Sequence, residues 1–226
     1  MAKNKLKKFA DIKSMDFVFE PDLFRALEGD SDFKGIWKKD IFKNELPIVV
    51  ELGCGKGEYS TGLAKLLPNR NYIGVDIKGA RIWEGANIVR ENNLKNVAFL
   101  RTKVDFIDAF FEENEIDEIW LTFSDPQPQK PNKRLTSKIF LDKYKKFLKP
   151  GGIINLKTDS DLLFESTLDV IKELNLELVY SSWNIYDDML KDFNTEEQEV
   201  LKISTVYEVM FGEKGFDIKY CQFKIN

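Results

Sequence analysis

Residues 47–57, PIVVELGCGKG, decide how this chain folds. Ile48, Val49 and Val50 make an apolar, β-branched run of the kind that forms a buried strand. The run ends in Glu51, three glycines follow at Gly53, Gly55 and Gly57, and a helical pattern starts near Glu58. Glycines at a strand-to-helix turn bring the backbone close to a ligand, because no Cβ stands in the way. The spacing is G-x-G-x-G, which differs from the G-x-G-x-x-G of dinucleotide binders. Glu51 would repel a pyrophosphate. It suits a cationic ligand, such as the sulfonium and amino acid end of S-adenosylmethionine (SAM). The plainer alternative is a tight βα turn whose glycines serve packing alone.

Outward from this stretch, strands and helices alternate. Apolar runs predict strands at 47–52, 71–76, 97–101, 118–123 and 152–158. Helical periodicity predicts helices at 58–67, 79–93, 137–147 and 160–173, with a weaker one at 105–112. Pro150-Gly151-Gly152 reads as a turn before the fifth strand. The order implies βαβ units and a parallel sheet with helices on both faces. Two late strands, near 176–183 and 217–224, flank a Thr/Glu-rich helical segment at 195–202 and the stretch 203–212, and such a pair can lie antiparallel at the sheet edge. The expected fold is therefore α/β, mostly parallel with a reversed edge strand and helices on both faces, an arrangement that resembles the Rossmann-like sheet of class I SAM-dependent methyltransferases. Residues 47–226 make the domain. Residues 1–46, which mix Lys with Phe9, Phe17, Phe19, Phe24, Phe33, Trp37 and Phe42, make an extension packed on it. A basic arm over 1–10 (Lys3, Lys5, Lys7, Lys8) either tracks nucleic-acid phosphates or stays a loose solubilising tail.

Composition narrows the chemistry. The chain of 226 residues has no histidine, which excludes Ser-His-Asp and Cys-His catalysis and His-ligated zinc. Acid–base work would fall to Asp, Glu, Lys or Tyr. Cys54 and Cys221 form neither a disulfide framework nor a metal cluster, so no metal is expected and a reducing cytoplasm fits. Cys54, between glycines with no base beside it, reads as a small buried residue. No signal peptide and no apolar run near 18 residues is present, so no membrane partner is expected. The net charge of −4 means that any nucleic-acid contact must come from a local patch. The chain is read as a monomer or a homodimer.

Ligands of open parallel sheets bind at the carboxyl ends of the strands. Glu51 and the glycines follow strand one. Asp76, in GVDIKG, follows strand two, 23 residues after Gly53, where an acid accepts hydrogen bonds from ribose hydroxyls or caps the next helix. Arg101-Thr102-Lys103-Val104-Asp105 follows strand three, where an adenine would lie. After strand four comes SDPQPQKPNKR, residues 124–134, in which Asp125 opens into the cleft and three prolines stiffen a loop bearing Gln129, Lys130, Lys133 and Arg134. The cations can hold phosphates while the acid addresses a base, or the loop simply faces water. Thr158-Asp159 follows strand five.

These motifs, with Thr205-Val206-Tyr207-Glu208, resemble those of the bacterial tRNA (guanine-N7-)-methyltransferases. The likeness runs from about residue 47 to the C-terminus. The glycine turn is common to most methyltransferases, whereas the Asp-Pro element with its basic loop and the late Thr-x-Tyr-Glu is much narrower. The resemblance implies SAM contacts at Glu51, Gly53, Gly55, Gly57, Asp76, Ile77, Lys103 and Val104. It implies a central acid at Asp125 and substrate contacts at Asp159, Thr205, Tyr207 and Glu208, with tRNA held by Gln129, Lys130, Lys133 and Arg134. Asp159 and Thr205 also suit helix caps, and Glu208 a surface charge. Gln127 stands where the family has Trp, Asn132 lies near its usual histidine, and Lys103 replaces an Asp or Asn.

Guanine N7 carries a lone pair and no proton, so its methylation requires no general base. A carboxylate beside the ring would stabilise the positive charge that moves onto it and accept hydrogen bonds from its N1 and N2 hydrogens. The chain is therefore expected to methylate tRNA, with SAM as co-substrate. The competing readings are a SAM-dependent transferase for a small molecule or protein, and a non-catalytic RNA-binding homologue.

Overall fold

The computed structural model describes residues 2–28, 31–212 and 214–225. Among these, one eight-stranded sheet runs in the order β1-β4-β3-β2-β5-β6-β8-β7. The strands are β1 (Val18–Phe19), β2 (Ile48–Leu52), β3 (Asn71–Asp76), β4 (Val97–Arg101), β5 (Ile116–Thr122), β6 (Leu148–Thr158), β7 (Glu177–Ser182) and β8 (Lys219–Lys224). Strands β1 to β6 pair in parallel, and β8 runs antiparallel to both β6 and β7. The five expected parallel strands and the late reversed strand are present. The reversed strand, β8, lies one place in from the edge.

The sheet splits its side chains by the two-residue period of a strand. Ile48, Val50 and Leu52 join Ile73, Val75, Ala98, Leu100, Ile119, Leu121, Ile154 and Leu156 on one face. Helices α5 (Lys138–Tyr144) and α6 (Asp161–Glu173) supply Phe140, Tyr144, Leu163 and Phe164 to this face. Val49, Tyr72, Val97, Phe99, Trp120 and Tyr220 form the other face. Helices α3 (Glu58–Leu66) and α4 (Gly79–Asn92) pack there through Tyr59, Leu63, Ile82 and Ala86. Glu51 thus falls on the α3 face.

Gly57 shows how tight this side is. Its φ is +68°, and a Cβ there would lie 2.7 Å from the Phe99 ring. Gly57→Ala should cost about 2 kcal/mol, from left-handed backbone strain and overpacking together, read as a lower urea midpoint with unchanged slope.

Three local differences from the sequence reading have physical causes. Pro150-Gly151-Gly152 is an irregularity inside β6, between the pairs Ile116–Leu148 and Glu118–Ile153. Proline lacks an N–H and Gly151 has φ +72°, so the strand buckles and continues. The segment 104–109 is a 3₁₀ helix. Strand β1, of two residues, is too short for any alternation to show.

The aromatic N-terminal stretch packs as a cluster. Trp37 is fully buried against Phe19, Phe33, Phe42 and Phe111, and its indole N–H donates to the Phe110 carbonyl. Residues Ala2–Ile12 form helix α1, which packs on α4. There Trp83 donates to Asp11, and Lys8 pairs with Glu84 and sits 4.2 Å above the Trp83 ring. The side chains of Lys3 and Lys5 lie outside the described set.

Candidate functional site

At the carboxyl ends of β2 to β6 the loops enclose a cleft of about 780 Å³. The glycine turn forms its floor. The amides of Gly53 and Cys54 both donate to the Val75 carbonyl, which folds the turn over the end of β3. Gly53 and Gly55 are left-handed, with nothing within 4 Å of where a Cβ would stand, so the backbone faces open space.

Asp76 locks this turn. One carboxylate oxygen accepts from Gly55 N at 3.0 Å and the other from Lys78 N at 2.7 Å. It lines the cleft and orders the approach to α4 without capping that helix, whose N-cap residue is Lys78. Ile77, Lys103 and Val104 line the same end of the cleft.

Glu51 lies behind the turn and does not line the cleft. It is 2% exposed. One oxygen accepts from Ser60 N and Oγ, the other from Thr122 Oγ1. Burial pushes its pKa up to about 7, against these hydrogen bonds, which pull it down. Its field still reaches the turn, since its charge helps raise the Cys54 thiol pKa. Cys54 is buried, as expected of a packing residue. Gly57 too stands off the cleft, as the N-cap of α3.

Asp125, after β5, lines the cleft and is exposed. Its Oδ1 accepts from Gln127 N at 3.0 Å, in a turn that places Gln127 at φ +45°. Beside it the Ser124 hydroxyl is buried without a hydrogen-bond partner among the described residues. The sequence reading passed over this serine, and an unpaired buried hydroxyl on a cleft wall is a place for a ligand atom.

The basic loop divides. Lys130 and Lys133 line the cleft, and Lys133 pairs with Asp105 at 2.5 Å. Gln129 is exposed outside it. Arg134, expected to hold phosphate, is instead 8% exposed, with Nε donating to the Pro126 carbonyl at 3.0 Å and a terminal nitrogen to Ser166 at 2.7 Å. A guanidinium held this way fixes the loop from beneath, because an arginine near a proline-rich turn meets unpaired carbonyls first.

Asp159 lines the cleft, half-buried, and burial raises its pKa. The N-cap of α6 is Ser160, which accepts from Leu163 N, so Asp159 is not the cap. Thr205 lines the cleft and accepts from Glu208 N, capping helix α9 (Val206–Gly212). Tyr207 lines it too, with the Arg81 guanidinium 5.5 Å from its ring centre. Glu208, expected at the substrate, points inward and is 4% exposed, paired with Lys157 at 2.8 Å. Lys157 was also missed by sequence reading, although a lysine inside the apolar run GIINLKT is a visible signal. Among the described residues no group of His, Cys, Asp or Glu is arranged to hold a metal, and no helix is long and apolar enough to cross a membrane.

A parallel sheet with a glycine turn, a carboxylate after β3 and a mixed acid–cation cleft is the architecture of a methyltransferase. A family model described as "Putative methyltransferase" matches residues 45–218. The fold is shared with the 16S rRNA methyltransferase KamB, at TM-score 0.63 and 14% identity, covering 87% of this chain and 95% of that one. It is also shared with the [4+2]-cyclase SpnF at TM-score 0.54 and 13% identity, covering 88% and 80%, so the fold does not fix the reaction.

The chain belongs to the tRNA (guanine-N(7)-)-methyltransferase family. It is 48% identical to the protein of that name from Bacteroides fragilis, covering 99% of this chain and 86% of that one. It is 42% identical to the one from Christiangramia forsetii over 100% and 99%, and 36% identical to the one from Clostridium acetobutylicum over 84% and 86%.

Proposed function

We propose that this protein transfers the methyl group of SAM to N7 of a guanine in tRNA. The observation that carries the reading is the cleft itself, which open glycine backbone and Asp76 line together with Asp125, Asp159, Thr205 and Tyr207. The Gly53–Gly55 turn, Asp76, Ile77 and Lys103-Val104 would hold the donor, and the space left by the absent Cβ atoms fits its close approach. Glu51 acts through space on the donor's cationic end. In the reaction the methyl carbon leaves sulfur and bonds to N7, and the positive charge passes from the sulfonium to the guanine ring. Asp125 faces that charge, and no proton has to be removed. Asp159 supports orientation of the base.

The tRNA reading also has an electrostatic basis. Lys56, Lys78, Lys103 and Lys130 line the cleft, and their ammonium groups make no ion pair or hydrogen bond among the described residues. An acidic protein thus keeps cations outside close ion pairs where a phosphate backbone would pass, although Lys56 and Lys103 feel the nearby charges of Glu58 and Asp105. Lys56 and Lys130 come from separate segments, the β2 turn and the loop after β5. Replacing either by alanine should weaken tRNA binding and make the dependence of log affinity on log salt shallower by ~0.7–0.9 per lost phosphate contact. Anisotropy titrations of labelled tRNA between about 50 and 200 mM salt would read this. An unchanged slope removes that lysine from the interface.

The activity is tested by incubating the protein with SAM and unmodified tRNA, then digesting the tRNA and measuring nucleosides by mass spectrometry. 7-Methylguanosine that requires both SAM and protein is the expected product. Methyl transfer to a different atom, or none, would overturn the proposal.

A further inference from the structure

Strand β6 carries a lysine with no solvent exposure. Lys157 Nζ donates to the carbonyls of Leu201 at 2.5 Å and Ile203 at 3.3 Å, to Tyr186 Oη at 3.3 Å, and pairs with Glu208 Oε1 at 2.8 Å. The Tyr59 and Tyr186 rings stand 5.6 and 5.4 Å away, and the Tyr186 hydroxyl donates to the same oxygen of Glu208. The segment from helix α8 (Thr195–Leu201) into α9 is therefore wound around one ammonium on the sheet. Tyr59 and Glu58 of α3 hold it further, at the Val200 carbonyl and Val206 amide. That segment presents Thr205 and Tyr207 to the cleft, while Glu208 faces away from it.

We infer that Lys157, with Glu208 and Tyr186, is a positioning cluster that sets the 201–208 segment against the cleft, and that Glu208 acts on the tRNA substrate through Lys157. This rests on tRNA being the substrate. A buried charge pair broken on one side leaves an uncompensated charge, and loss of Lys157 also leaves the Leu201 and Ile203 carbonyls without their donor. Among the described residues Glu208 Oε2 is buried without a partner, which is the acceptor that a direct contact to guanine would use. Exchange over 201–208 in the free protein separates the two roles.

The experiment compares Lys157→Met, Glu208→Gln and Lys157→Met/Glu208→Met with the parent. It reads tRNA KM and kcat, SAM affinity by calorimetry, and hydrogen exchange of the free protein. Each single variant should raise tRNA KM at least fivefold, keep SAM affinity within twofold, and lose exchange protection over 201–208 but not in β2 to β5. The double variant should raise KM no further than Lys157→Met does, because Glu208 then has no pair left to break. Single variants that raise KM while keeping parental exchange protection over 201–208 would return Glu208 to direct contact and overturn the inference, as would an unchanged KM for Lys157→Met. Where that single variant does not fold, Tyr186→Phe serves, since it removes one donor to Glu208 at nearly constant volume. A raised KM supports the cluster and an unchanged one overturns it. The exchange data need no tRNA, so they stand or fall separately from the substrate assignment.

Discussion

Asp125→Ala is expected to lower the single-turnover rate of methyl transfer about 100-fold, the loss seen when one preorganised group facing transition-state charge is removed. SAM affinity should stay within twofold, because Asp125 makes no bond to the glycine turn or to Asp76 among the described residues. Alanine also removes the acceptor for Gln127 N, so the rate loss has two possible sources. Asp125→Asn keeps that acceptor and removes only the charge. A comparable loss in the asparagine variant assigns the effect to electrostatics. An asparagine variant as fast as the parent would reduce Asp125 to a turn residue.

Glu51→Gln should stabilise the free protein and weaken donor binding at the same time. The folded carboxyl has a pKa of about 7, raised from an ordinary 4.5 by burial. Between those values the folded state binds more protons than the unfolded one. This contribution is thus present below pH 4.5 and is lost as pH rises to 7, by about 3 kcal/mol in all. Glutamine removes this loss and fits the site, with its carbonyl accepting from Ser60 and its amide donating to Thr122. The variant should melt roughly 5–10 °C higher than the parent at pH 8 and show little difference near pH 4.5. Its SAM affinity should fall about tenfold at pH 8, the equivalent of one lost charge interaction of about 1.4 kcal/mol. For the parent, SAM affinity should rise between pH 6 and 8 as Glu51 ionises. Calorimetry and thermal melts at the two pH values check each part. A glutamine variant that binds SAM as the parent does would remove Glu51 from donor recognition.

The sheet was legible because Ile48 to Leu52 and its partners carry continuous apolar runs that only a doubly covered parallel sheet can bury. The cleft was legible because its acids sit at strand ends, a position that topology fixes. What stayed hidden depends on where side chains turn after the backbone is set. Arg134 and Lys130 look alike in a basic loop, yet one is folded under Pro126 and the other faces the cleft. Glu208 looked like a ligand-facing acid until Lys157, distant in sequence, was seen to claim it. Ser124 gave no signal, since an unpaired hydroxyl is a property of the folded interior alone.

The two ends of the sheet have different exposures. At one end β1 offers only two residues beyond β4, so almost no open backbone remains for a foreign strand to copy. At the other, β7 runs six residues, with Leu178 and Val179 each more than 40% exposed. Strand addition between copies, and the fibrous aggregation that can grow from it, is thereby steered to a single flank.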